Sequence, residues 1–188
     1  MSAIPQLAGG VMLLCACSLL SQARLVRMIT LYRLQSVALT AAALAQALAQ
    51  RDAALYLAAL IILCLNVLLL PNALRRIVGR IPATNATPRA LTLALCIGLL
   101  GVALLAVPPM PLRLMLAVSL AVALLGLLLL AQRNPISQLI GFLSLANGLM
   151  LAAIAMPKLP FVAWLAAALP ALGLSLLSLV LLRMQEQP

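Results

Sequence analysis

The chain has 188 residues, of which 66% are hydrophobic and only 7% are charged. Soluble domains usually carry about 25% charged residues, so this composition excludes a soluble globular domain and predicts a protein surrounded by lipid or by other apolar protein. The net charge of +10 does not predict nucleic-acid binding, because the basic residues occur one or two at a time between apolar runs and aromatic residues for base stacking amount to 3%.

Seven apolar runs are each long enough to cross a bilayer, since a spanning helix needs about 20 residues. Short polar or proline-rich segments separate them, and the longest of these segments is 75–89. The sequence therefore predicts an all-α, polytopic transmembrane helix bundle that forms a single domain over 1–188. The predicted spans, numbered one to seven, are 4–23, 28–50, 53–74, 90–108, 114–132, 135–156 and 160–182.

The distribution of basic residues predicts the direction of insertion, because Lys and Arg favour the cytoplasmic side in short loops. With the N-terminus outside, nine basic residues lie on the cytoplasmic side, and three lie on the outer side: Arg51, Arg113 and Lys158. The expected topology is therefore N-terminus out and C-terminus in.

Local signals predict how the third and sixth spans begin, bend and pack. Asp52 is placed to cap the third span, and Pro135 falls in the first turn of the sixth span, where its missing N–H costs nothing. Pro71 lies inside the third span and is expected to bend it. Gly141 and Gly148, two turns apart, give the sixth span a side small enough for close helix packing.

Metal and redox chemistry find no support in the sequence. Histidine is absent, and the four cysteines lie in apolar runs without a Cys-x-x-Cys spacing. Metal ligation needs ligands at convergent spacing. We therefore expect no metal site and no cofactor in this chain, and we interpret Cys15, Cys17, Cys64 and Cys96 as separate thiols that pack as small apolar side chains.

Ionisable residues are missing from the middle of every predicted span, since the two acidic residues, Asp52 and Glu186, lie at span ends. Proton and ion paths in membranes normally rely on such residues. Nucleophilic catalysis also lacks a general base here. No catalytic residue is predicted.

Amide side chains are the remaining candidates for a polar site. Asn66 and Asn147 lie about 20 Å and 18 Å along their spans at 1.5 Å per residue, and Gln35 and Gln138 lie nearer the span starts. Two interpretations are open at this stage. The amides form hydrogen bonds between helices, or they line a hydrated path in which they orient water without carrying a proton.

A motif in the sixth span resembles a known family. Gln132-Arg133-Asn134 precedes a helix that contains Gln138, Gly141-Phe142 and Asn147-Gly148. This pattern is similar to that of hydrogenase-4 component E, a membrane protein of hydrogenase-4 and formate hydrogenlyase-type complexes. The part 113–188 is in turn similar to the three-helix K component of respiratory complex I and to the C component of Mrp-type antiporters.

The resemblance implies a non-catalytic membrane subunit, without a cofactor, of a complex I-like respiratory or group 4 nickel–iron hydrogenase complex. Its expected location is the bacterial inner membrane. The implied partners are antiporter-like subunits, the membrane anchor of the hydrogenase arm and the lipid bilayer.

The chain departs from this family at the positions through which such proteins are thought to pass protons. The family's intramembrane glutamate is Ala146 here, its lysine falls at Asn66, and its acidic position in the last helix is apolar, within 167–172. We therefore expect the chain to scaffold proton-translocating subunits rather than to carry protons itself.

Two other functions remain open. An independent small transporter or channel predicts helices that are broken at mid-depth, which Pro71 and Pro170 allow. A membrane enzyme acting on lipids is disfavoured by the lack of an acid–base pair.

Overall fold

The computed structural model describes residues 3–78, 89–106, 113–132 and 134–156, together with 168–173, 175 and 178 of the last apolar run. Every regular element within these residues is helical. In chain order the elements are α1 (Ala3–Leu20), α2 (Leu25–Gln50), α3 (Ala53–Ile62), a π-helical segment (Leu63–Leu69), α4 (Leu70–Val78), α5 (Arg89–Ala106), α6 (Arg113–Leu130) and α7 (Pro135–Ala155).

The helices match the first six predicted spans, because α3, the π-helical segment and α4 form one continuous rod. Four helical rods are long and apolar enough to cross a membrane: Leu25–Gln50, Ala53–Arg76, Arg113–Leu130 and Pro135–Ala155. Shorter apolar stretches lie in α1 and α5. The described residues are therefore all-helical, as predicted, and four rods have the length and composition of membrane spans, whereas seven spans and the direction of insertion stay predictions.

Parts of the sequence-based topology lie outside the described residues. These parts are most of the seventh span, the loop residues 79–88, and the basic residues Arg133, Lys158 and Arg183. Within the seventh span, 168–173 is helical. Within 113–188, the helices α6 and α7 form an antiparallel pair.

Glycine residues bring α6 and α7 into backbone contact. A Cβ atom built on Gly126 meets the Gly141 carbonyl oxygen at 2.8 Å, and one built on Gly141 meets the Gly126 oxygen at 2.8 Å. A Cβ on Gly148 meets the Ala123 nitrogen at 2.7 Å. Only a hydrogen atom fits at these positions, so the close packing predicted for Gly141 and Gly148 is confirmed. The matching glycine on α6, Gly126, was not predicted.

Helix α2 holds the centre of the bundle. It packs against α1, against the α3–α4 rod and against α7, while α6 joins α1, α5 and α7. Its inward side carries Met28, Ile29, Tyr32 and Leu39, all fully buried. Because α2 touches the rod and α7 at once, polar side chains on its inward side can reach both.

The predicted helix starts are confirmed. Arg51 adopts a left-handed conformation with φ of 52°, and the Asp52 carboxylate then accepts a hydrogen bond of 2.9 Å from the Ala54 N–H at the start of α3. Pro135 occupies the first turn of α7. The Asn134 side chain caps that turn by accepting from the Ile136 N–H at 3.0 Å, a role that was not predicted.

Pro71 changes the helical geometry of the α3–α4 rod in the turn that precedes it in the chain. In an α-helix the carbonyl of residue 67 accepts from the N–H of residue 71, which proline lacks, and the proline ring crowds that carbonyl. The chain responds by widening: residues 63–69 are π-helical, and the Leu70 N–H donates to the Leu65 carbonyl, five residues back. Asn66 lies within this widened segment.

The cysteine prediction needs a correction. Cys17 of α1 and Cys96 of α5, which are 79 positions apart in the chain, form a disulfide with their Cα atoms 6.1 Å apart. Cys15 is buried and Cys64 is exposed, both as free thiols. The four thiols are therefore not separate. The pair could not be predicted because helix packing, not sequence spacing, brings the two residues together.

One end of the bundle is strongly basic, and we call it the basic end. It carries Arg24 and Arg27 at the start of α2 and Arg75 and Arg76 at the end of α4, all exposed. The Arg75 guanidinium lies 3.5 Å from the Thr30 hydroxyl, which shows that the two helix ends are neighbours.

Candidate functional site

Five polar side chains from three elements meet inside the bundle, and together they form the polar cluster. Gln35 and Ser36 come from α2, Asn66 from the π-helical segment, and Ser144 and Asn147 from α7. None of them is more than 4% exposed. Polar side chains that are buried this completely are tolerated only where hydrogen bonds or bound water replace their contacts with bulk solvent.

A chain of amide hydrogen bonds joins the three elements. The Asn66 Nδ2 atom donates to Asn147 Oδ1 at 3.1 Å, and Asn147 Nδ2 donates to Ser36 Oγ at 3.1 Å. Asn147 therefore links the π-helical segment to α2. These are hydrogen bonds between helices, the first of the two arrangements considered for the amides.

Gln35 makes a second contact between α2 and α7, because its Nε2 atom donates to Ser144 Oγ at 3.1 Å. The two bonded pairs, Gln35–Ser144 and Ser36–Asn147, advance together along both helices. Gln35 lies ten residues after the start of α2 and Ser144 nine residues after the start of α7. The helices thus run in the same direction, and both start at the basic end.

Four buried polar atoms in the described residues have no hydrogen-bond partner: Gln35 Oε1, Asn66 Oδ1, Ser137 Oγ and Tyr32 Oη. The Tyr32 hydroxyl lies near that of Ser36 but makes no hydrogen bond of normal geometry with it. A buried acceptor without a partner costs about 1–3 kcal/mol. All four atoms belong to α2, the π-helical segment or α7, which are the three elements that form the polar cluster.

Of the four amides singled out from the sequence, the structure brings together three. Gln35, Asn66 and Asn147 belong to the polar cluster. Gln138 is exposed and lies outside the polar cluster. Its Nε2 atom donates to the Gln132 carbonyl at 2.9 Å, which ties the first turn of α7 to the residues that precede it.

Ser36 and Ser144 were not predicted as partners of the amides. Their positions carried a signal, because Ser36 follows Gln35 directly and Ser144 lies one turn before Asn147. Which serine meets which amide depends on how α2 packs against α7, and this cannot be read from either helix alone.

Chemically, the polar cluster consists of neutral amides and hydroxyls. Such groups orient water and fix helix positions, but they do not take up and release protons near neutral pH. Ala146, which precedes Asn147 in α7, is 5% exposed. Within the described residues, no group of three or more His, Cys, Asp or Glu side chains is arranged to hold a metal ion.

The polar cluster is thus a neutral, buried contact between α2, the π-helical segment and α7, in a bundle with four helical rods that are long and apolar enough to cross a membrane. Comparison of the chain with protein-family models, with curated proteins and with solved structures finds no match.

Proposed function

We propose that the chain is a non-catalytic membrane subunit of a complex I-like respiratory or group 4 nickel–iron hydrogenase complex in the bacterial inner membrane. It scaffolds antiporter-like, proton-translocating subunits and the membrane anchor of the hydrogenase arm, and it carries no cofactor. In this proposal the seventh apolar run completes a seven-span bundle with its N-terminus outside and its C-terminus inside.

The polar cluster is the observation that carries this proposal. A protein that relays protons across a membrane keeps ionisable groups at mid-depth despite their cost in lipid. Here the polar cluster is held together by the neutral hydrogen-bonded pairs Asn66–Asn147 and Asn147–Ser36, with Ala146 next to Asn147 in the chain. Such bonds hold three elements in one arrangement, which suits a scaffold.

The outer surface of the helices supports a role among other membrane proteins. Large apolar side chains point outward on several helices, among them Leu7, Ile97 and Leu105, which are 71%, 72% and 84% exposed. Surfaces of this kind pack equally well against lipid tails and against the apolar faces of neighbouring membrane proteins.

Mass spectrometry of the intact complex after gentle detergent extraction tests the proposal. We expect the chain to be recovered with larger membrane subunits at fixed stoichiometry, and to be degraded or poorly folded when it is expressed alone. A monodisperse chain that is stable and active by itself would contradict the scaffold role.

An independent transporter or channel is the second candidate, and one observation favours it. The rod that holds Asn66 departs from α-helical geometry near its middle, and helices broken at mid-depth form the substrate sites of many transporters. Reconstitution of the purified chain into vesicles separates the two candidates, because only a transporter moves a solute without partners.

A further inference from the structure

The unpartnered polar atoms lie along one seam of the bundle. Measured from the starts of α2 and α7 at 1.5 Å per residue, Ser137 lies about 3 Å, Tyr32 about 10 Å and Gln35 about 15 Å into the bundle. Asn66 joins the seam at the depth of Asn147, about 18 Å along α7. Ser137 precedes Ser144 by seven residues on α7, and Tyr32 precedes Ser36 by four residues on α2, so both lie on the helix sides that carry the polar cluster. The four residues therefore trace a line from the basic end to the middle of the bundle.

The line stops at the polar cluster. Beyond Thr40, whose hydroxyl donates to the Ser36 carbonyl at 2.9 Å, α2 buries only small apolar side chains. Helix α7 likewise buries only glycine and apolar side chains after Asn147. The buried residues beyond the cluster are Ala42, Ala43 and Ala47 on α2, and Gly148, Met150, Leu151, Ala153, Ile154 and Ala155 on α7.

Rearranging the amides does not remove the deficit. Rotating the Gln35 amide by half a turn exchanges its oxygen and nitrogen, and one of the two atoms still lacks a partner. Rotating the Asn66 amide alone would set its oxygen against Asn147 Oδ1, two acceptors face to face. Rotating the Asn66 and Asn147 amides together would leave Asn66 Nδ2 without a partner instead. In every arrangement a hydrogen-bond partner must therefore come from outside these side chains.

A water molecule is a better ligand for these unpartnered atoms than a cation is. A cation bound by Gln35 Oε1 and Asn66 Oδ1 would stay uncompensated, because no acidic side chain belongs to the seam and bare charge is very costly in a buried site. A water molecule donates two hydrogen bonds, and its immobilisation costs less than leaving two buried acceptors unsatisfied.

We propose that ordered water molecules bind along this seam at Ser137, Tyr32, Gln35 and Asn66, and that the hydrated line is blind, that is, open at the basic end and closed at the polar cluster. Water enters from the basic end and reaches Asn66 and Asn147, and the apolar layer beyond them excludes it. The site takes neutral water and does not depend on which complex the chain joins.

Solid-state NMR of the isotope-labelled, full-length chain in lipid vesicles, together with the unlabelled membrane subunits with which it is recovered, tests this through magnetisation transfer from water. We expect transfer to the side-chain carbonyl carbons of Gln35 and Asn66 to be several-fold faster than transfer to the buried Leu39. Two serines provide a matched comparison in the same sample. Ser137 Cβ should receive magnetisation quickly, whereas Ser119 Cβ, whose hydroxyl already donates to the Leu116 carbonyl, should not.

Two results would overturn the proposal. Transfer to Gln35 and Asn66 at the slow rate of Leu39 means that the polar cluster is dry. Equally fast transfer to Ala43 and Leu151 means that water crosses the apolar layer and the line is not blind. Neither result bears on whether the chain is recovered with larger subunits, so the scaffold proposal is tested separately.

Discussion

Asn66 and Asn147, 81 residues apart in the chain, share a hydrogen bond of 3.1 Å inside the bundle. The Asn147 Nδ2 atom donates a hydrogen bond to Ser36 Oγ, so Asn147 is bonded to the π-helical segment and to α2 at once. Its truncation therefore removes two contacts between elements, whereas truncation of Ser36 or Asn66 removes one of these two.

We expect Asn147→Ala to lower the free energy of unfolding by about 1–2 kcal/mol, because each hydrogen bond between membrane helices contributes about 0.6 kcal/mol and buried groups lose their partners. Steric trapping in bicelles measures this. Gln138→Ala is the matched control, because that side chain is exposed, and its effect should be close to zero. Equal losses in the two variants would contradict a stabilising role of the polar cluster.

The same variant tests whether the polar cluster takes part in ion transfer. In reconstituted complex, proton uptake normalised to assembled enzyme should be unchanged by Asn147→Ala, since the amide does not titrate. Loss of pumping with assembly and electron transfer intact would mean that Asn147 organises an essential water chain, and the scaffold proposal would fail.

Gly141→Ala should destabilise the bundle by about 1–3 kcal/mol, the usual cost of overpacking. The added Cβ would meet backbone atoms of Gly126 and Leu130, which cannot move aside as a side chain can. Gly101→Ala on α5 is the control: its Cβ has nothing within 4 Å, and the helix gains about 0.5–1 kcal/mol from the better helix former. Thermal unfolding of the two variants should therefore shift in opposite directions.

The disulfide predicts which thiols react. In denatured, non-reduced protein, an alkylating reagent should modify Cys15 and Cys64, while Cys17 and Cys96 should react only after reduction. Cys17→Ser should release Cys96 as a reactive thiol, and Cys15→Ser should release none. Peptide mass spectrometry identifies each position, and alkylation of all four cysteines before reduction would show that the pair is open.

The topology is tested with single cysteines placed at Thr84 and Gln187 in a cysteine-free background. Both positions are expected in the cytoplasm because of the nine-to-three distribution of basic residues. A membrane-impermeant thiol reagent should therefore label them only after the cells are opened. Labelling of either position in intact cells is incompatible with seven spans and an external N-terminus.

Sequence alone predicted the helical rods well, because apolar runs bounded by residues such as Asp52 and Pro135 specify where a membrane helix begins. It also placed Asn66 and Asn147 at mid-depth. It did not predict that they bond to each other, that Ser36 completes the chain or that Cys17 meets Cys96. Those contacts depend on how nearly all-apolar helices rotate about their axes, and such helices carry little periodicity to fix that rotation.

The π-helical segment also changes how residues are counted along its rod. From Ile62 the buried positions recur at Asn66 and Val67, at Leu70 and Pro71, and at Leu74, so three turns take twelve residues, whereas three turns of a regular α-helix take about 11. Residues 63–69 therefore hold one residue more than a regular helix needs to keep both halves facing α2. A relative with an unbroken α-helix here would align with this chain only through a one-residue gap in 63–69, and a gapless alignment would match Asn66 or Leu74 to a lipid-facing position.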